Sequence, residues 1–185
     1  NFFEDGLSFY ENAETGLKEG ESLNTLKNEL SQATFYLTKA YETAVRSKEL
    51  FKTTLKARAD ARNFKASEHA EELWKTAEET LIEASSNVED DDIEDAEEVG
   101  FEAEKLYRKA ELKAIKHSYL AEARNAVIEA EENDADDYAP ITFELSNNLI
   151  SKAESELDSS RYENDIAKGL ANRALMEANH SISIS

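Results

Sequence analysis

ASEHAEELWKTAEETLIEASSNVEDDDIEDAEEVGFEAEKL, residues 66–106, and ADDYAPITFELSNNLISKAESELDSSRYENDIAKGLANRAL, residues 135–175, are two copies of one pattern. At an offset of 69 residues Ala66 meets Ala135, His69 meets Tyr138, Ala70 meets Ala139 and Leu81 meets Ile150. The register continues through Ala84 and Ala153, Val88 and Leu157, Gly100 and Gly169, and Leu106 and Leu175. One offset held without a gap over about forty positions marks a duplicated structural unit. Further back, Phe9, Tyr10, Ala13 and Leu17 match Leu73, Trp74, Ala77 and Leu81, while Lys39, Ala40 and Ala44 match Lys109, Ala110 and Ala114 at an offset of 70. Three units are expected, the first without its opening helix: residues 1–43, 44–112 and 113–181, with a tail at 182–185.

The unit is helical. One Pro and five Gly stand among long Ala/Glu/Lys/Leu stretches, so helix breakers are nearly absent. Apolar residues fall at helical spacing from Leu23 to Asn63, and again along one side of a second run from Asp92 to Asn133 that includes Ala96, Ala103, Ala110, Ala123 and Ala130. At 1.5 Å per residue such a helix extends for roughly 60 Å. Gly100 lies inside it at a cost of about 1 kcal/mol relative to Ala, which predicts a close helix contact there. A shorter helix is expected over residues 68–87, another opening at Tyr138-Ala139-Pro140 with Pro in the first turn, and a last one from Ser160, capped by Ser160 and Glu163, to about Ala178. Glu89, Asp90, Asp91 and Asp92 form a turn whose carboxylates favour the next helix N-terminus. The fold class is therefore all-α: tandem three-helix bundles in which the third helix of one unit continues as the first of the next. This is spectrin-like connectivity, with an elongated, staggered stack preferred over a globular bundle.

Charge narrows the function. Forty-one acidic against twenty-one basic residues give a formal net charge of −20. Nucleic acid and anionic membrane surfaces require clustered Lys and Arg, and no such cluster occurs. No run approaches the ~20 apolar residues needed to cross a bilayer. The chain starts at Asn1 without a basic or apolar leader, which suggests a processed piece with any targeting signal upstream. The absence of cysteine excludes disulfides, thiolate metal sites and thiol catalysis.

Few constellations carry chemistry. Glu177 and His180 have the E-x-x-H spacing of di-iron carboxylate bundles, but such sites need two of these motifs and this sequence has one, so a surface pair is expected. His69 and His117 have no ligand spacing to one another and are read as a helix-start residue and a solvent-facing residue. The run 89–95 lacks the Gly and the alternating ligands of an EF-hand and reads as a solvated turn. Gly-rich phosphate loops and Gly-x-Ser-x-Gly are absent. Catalytic, cofactor and metal residues are assigned to none. Trp74 and Phe143 share one slot in successive units, as do His69 and Tyr138, and aromatics at matched helical positions are expected to plug the core. If they do not, Trp74, Tyr107, Phe143 and Tyr138 are the candidate partner-contact residues.

Leu120-Ala121-Glu122-Ala123-Arg124, followed by Ala126, Ile128, Ala130-Glu131, Ala135, Tyr138-Ala139-Pro140, Leu149, Ala153, Leu157 and Ala167, resembles an uncharacterised alanine-rich helical domain of bacterial envelope lipoproteins. In many members that domain follows a lipoprotein or Sec signal and precedes an OmpA-like peptidoglycan-binding domain. The likeness covers about a third of the chain directly and the rest through the internal repeat. It implies a non-enzymatic periplasmic spacer or scaffold, tethered to the outer membrane through an upstream lipidated N-terminus. Its contacts would be envelope proteins, or peptidoglycan through a separate domain. The alternative is a helical adaptor that holds a partner helix or peptide in an inter-helix groove.

Overall fold

A computed structural model describes all residues, 1–185. The chain is all-α, with no strand. The helices are α1 (Phe2–Glu19), α2 (Leu23–Leu50), α3 (Lys52–Asn63), α4 (Ala66–His69), α5 (Glu71–Glu89), α6 (Ile93–Glu132), α7 (Ala135–Tyr138), α8 (Pro140–Ser159) and α9 (Asp165–Ile184). They form two compact units, Asn1–Arg58 with Lys75–Leu106, and Ala59–Trp74 with Tyr107–Ser185. No helix is long and apolar enough to cross a membrane.

The repeat is visible in the backbone as well as in the sequence. Lys65 and Asp134, 69 residues apart, both take the left-handed conformation at φ 56°. Ala70 and Ala139 share an extended φ with ψ near 45°, at −143°, 41° and −135°, 48°. Each joint closes with the same bonds: Ala70 N–H donates to Ala66 C=O and Ala139 N–H to Ala135 C=O, while Trp74 and Phe143 N–H groups donate to the carbonyls of Ala70 and Ala139. A one-turn helix thus precedes each of α5 and α8, and the single helix expected over 68–87 is divided at Ala70. Pro140 opens α8 as expected, where its missing N–H leaves no bond unmade.

In the first unit α1 and α2 form an antiparallel hairpin. Its turn uses Gly20 at φ 79°, and Ser22 Oγ accepts from Thr25 N–H at 3.2 Å to cap α2. Small residues bring the helices together. A β-carbon at Gly6 would lie 2.8 Å from Leu37 Cγ and 3.0 Å from the Leu37 backbone nitrogen. Phe9 stacks on Tyr36 across the seam at 5.5 Å. Phe51, Ala84, Val88 and Ala96 form a core cluster of this unit, flanked by Leu55, Leu81 and Val99.

The run from Leu23 to Asn63 is not one helix: it breaks at Phe51, at φ −97°, ψ 26°. The break coincides with packing. The buried Phe51 ring sits against Gly100, where a β-carbon would meet Phe51 Cδ1 and Cε1 at 2.6 Å, and Thr54 Oγ1 donates to the Gly100 carbonyl at 3.0 Å. The close contact expected from a mid-helix glycine is present. At Gly169, its counterpart in the repeat, a β-carbon would meet nothing within 4 Å. The two glycines should therefore respond oppositely to alanine. Gly169→Ala should raise stability by about 0.5–1 kcal/mol through helix propensity. Gly100→Ala should lower it by about 1–2 kcal/mol, because displacing a buried ring outweighs that gain. Urea midpoints of the two variants check both signs.

α6 is continuous over 40 residues, as the sequence predicts. Its buried side is not a single stripe. Ala96, Gly100, Ala103, Tyr107, Ala110 and Ala114 lie on one face, and Leu120, Ala123, Val127 and Ala130 lie roughly half a turn around the helix at 100° per residue. Alanine recurs on both faces, where its small side chain lets a neighbour approach closely.

Two ends differ from expectation. α9 starts at Asp165, not near Ser160. Ser160 is the C-cap of α8, and its backbone carbonyl, not its hydroxyl, accepts from Glu163 N–H at 3.2 Å. Nor does the last helix stop near Ala178: α9 continues through the expected tail to Ile184, with Ser181 buried and its Oγ donating to the Ala178 carbonyl at 2.7 Å.

Candidate functional site

The densest polar constellation lies in the second unit around Glu111. This side chain is fully buried although it stands between the buried Ala110 and Ala114 of α6. Burying a carboxylate is costly unless its oxygens are bonded, and here both are. Tyr162 Oη donates to Oε1 at 2.9 Å, while Nη1 of Arg108 (3.1 Å) and of Arg161 (3.4 Å) approach Oε2. Arg108 Nη1 also donates to Asp60 Oδ2 at 2.7 Å and to Tyr162 Oη at 3.0 Å, and Arg161 Nη1 donates to the Arg108 carbonyl at 2.8 Å. The cluster ties α3, α6 and the α8–α9 turn together. Arg161 and Tyr162 are the turn itself, and their reach to Glu111 accounts for the delayed start of α9.

Burial acts against the charge of Arg108, but hydrogen bonds to Asp60 and Glu111 outweigh it and hold the guanidinium above the ordinary arginine value. Tyr162 has a largely exposed ring and a hydroxyl turned inward. Desolvation of that hydroxyl first, and then its bond to Glu111, raise its pKa above the usual tyrosine value of 10.0. An acid whose folded pKa is raised contributes stability in full below the unfolded value and loses it as pH climbs through the folded one. The fall in urea midpoint above about pH 10 should accordingly be shallower in Tyr162→Phe than in the parent chain.

With its oxygens bonded and no surface exposed, Glu111 is a structural tie with no room for a substrate. Its register was legible: it follows Ala110 and lies four residues after Tyr107, within a buried stripe. Its partners at 60, 161 and 162 were not, because no helical period relates them to it.

The residues singled out by sequence lie elsewhere. Tyr107 is fully buried, and the half-buried Trp74 packs against it edge to face, ring centroids 5.4 Å apart at 67°. Phe143 is half-buried against the cluster of Ala123, Val127, Leu149 and Ala174. Tyr138, at the end of α7, is exposed. Tyr107 thus offers no accessible surface to a partner, and only Tyr138 of the four stands open. His69 and His117, unrelated by spacing, are brought together: their rings stack at 4.0 Å and 14°. Glu177 is half-buried and His180 exposed near the end of α9. Nowhere do three His, Asp or Glu side chains converge in a metal-binding group. Of the carboxylates of 89–95, Asp90, Asp91 and Asp92 form the α5–α6 turn, where Asp91 pairs with Arg46 at 2.6 Å, and Glu94 and Asp95 lie in the first turn of α6.

Comparison of the chain with protein-family models, curated proteins and solved structures finds no match.

Proposed function

We propose that the chain is a non-enzymatic helical scaffold, a spacer of the bacterial cell envelope built from tandem three-helix repeats that share their long helices. The observation that carries this reading is α6. One unbroken helix supplies residues 93–106 to the first compact unit and 107–132 to the second, and changes its buried face along the way. A continuous helix passes orientation along a chain where a flexible linker would not. Recurrence of the Lys65–Ala70 joint at Asp134–Ala139 supports the repeat. Placement in the periplasm, with an upstream lipidated N-terminus at the outer membrane and envelope proteins or a separate peptidoglycan-binding domain as contacts, rests on the lipoprotein-domain resemblance. Cell fractionation with an antibody to the chain, combined with palmitate labelling of the full-length product, tests it. Labelled protein in the outer-membrane fraction is the expected result, and unlabelled protein in the cytosol would remove the envelope reading.

A further inference from the structure

His69 and His117 form a ring pair in which both members can become cations. Their rings lie 4.0 Å apart and nearly parallel, at 14°. Each ring's lone pairs lie in its own plane, so parallel rings do not aim them at a common ion, and the pair is not a chelating one. As neutral imidazoles the rings attract by dispersion across their faces. As imidazolium ions they repel at contact distance. The pair also sits at a point the fold holds weakly. His69, half-buried, is the last residue of the one-turn helix α4, and His117 stands exposed on α6. The other inward residues of that turn are Ala66 and Ala70, which are fully buried but bring little apolar area. Lys65, just before it, is a non-glycine residue at φ 56°, a conformation that costs energy and adds no support.

The charged neighbours decide how many protons the pair accepts. On the α3–α4 side these are Arg62 in the last turn of α3 and Lys65, which lies 3.9 Å from Glu68. On α5, Glu72 stands one turn after His69, and on α6, Lys113 stands one turn before His117. Lys116, beside His117, pairs with Asp158 of α8 at 2.6 Å. Four cations thus face three carboxylates, in a chain whose overall balance is the reverse, and Lys65 and Lys116 already engage two of the three. Glu72 offsets a first proton. A second meets a surrounding that is already cationic. The other joint has the same backbone and the same hydrogen bonds, but Tyr138 holds the place of His69 there and is exposed. The imidazole pair is therefore a property of one joint and not of the repeat.

We propose that the His69–His117 stack is a proton-operated latch, which holds α4 on α6 while at least one ring is neutral and releases it when both are charged. The repulsion exists only in the closed joint, so closure is fully stable above the range in which imidazole side chains charge and is lost as pH falls through it. The latch rests on this pair alone. Its failure leaves the scaffold reading untouched, and the reverse holds too.

Amide hydrogen exchange of the full chain, resolved by residue with NMR and divided by the intrinsic rates, tests the latch at about pH 7 and about pH 5. The amides of Glu68, His69, Ala70 and Trp74 donate to the carbonyls of Lys65, Ala66 and Ala70. On acidification they should lose protection by about fivefold or more, the equivalent of ~1 kcal/mol between unit charges 4 Å apart in water. The amides of Asp137, Tyr138, Ala139 and Phe143, bonded in the same way at the other joint, serve as the internal control and should hold theirs. His69→Phe keeps a ring in the stack without its charge, as does His117→Phe at an exposed position, and in both variants the first joint should stay protected at the lower pH. Equal loss at the two joints would assign the effect to carboxylates, which the second joint carries at Asp134, Asp136 and Asp137, and would overturn the latch. So would protection that is the same at both pH values, or a loss that persists in the Phe variants.

Discussion

Ala110→Pro should be the most damaging single substitution in α6, lowering stability by about 3 kcal/mol or more. Proline removes the N–H bond to the carbonyl of Leu106, drives its ring into that carbonyl, and pushes Lys109 away from helical dihedrals. The site gives no relief, because Ala110 is fully buried and the ring cannot swing into solvent. The loss should also be visible in cooperativity. Ala110 lies four residues beyond the last α6 position of the first compact unit, which ends at Leu106. If the shared helix couples the units, urea denaturation followed by circular dichroism should change from one transition to two, with the earlier one shifted furthest. An unchanged single transition at the parent midpoint would mean that helix continuity contributes nothing, and the scaffold reading would lose the observation that carries it.

Glu111→Ala should cost about 3 kcal/mol, toward the lower end of the 3–5 kcal/mol range for breaking a buried ion pair. Arg108 and Arg161 each keep about a quarter of their side-chain surface in water, at 27 %, and Arg108 retains Asp60, so neither is stranded without solvation. The loss is nonetheless large, because one carboxylate satisfies three donors, and alanine leaves a void that the small residues around it cannot fill. Its distribution distinguishes it from a general loosening. Amide hydrogen exchange should accelerate most in residues 160–165, the turn that Arg161 and Tyr162 hold against α6, while α1 and α2 should be unaffected. Uniform acceleration along the chain would show that the cluster does not pin this turn in particular.

The contrast between Gly100 and Gly169 shows where sequence reading stops. The repeat makes them equivalent, and helix propensity penalises both equally. Only the position of the Phe51 ring makes one indispensable and the other replaceable. His69 and His117 teach the same lesson in reverse: 48 positions apart and unrelated by period, they stack ring on ring because α4 is folded back onto α6. Among the aromatics, Trp74 and Tyr107 pack together, and Phe143 packs into the core of its own unit, while Tyr138, its neighbour along the chain, stays exposed.

From composition and period alone the chain is all-α, its long α6 is continuous, its α8 opens at Pro140, and its joints recur at an offset of 69 residues. These follow from forces that act within a few turns of helix: backbone hydrogen bonding, the lost N–H of proline, and side chains spaced every three or four residues. The break at Phe51, the change of buried face along α6, the late start of α9 and the enclosure of Glu111 were decided by tertiary structure. Each depends on which side chains from distant positions come to share a space, and a carboxylate or a glycine among alanines carries no record in its own neighbourhood of the arginine or the ring that will meet it.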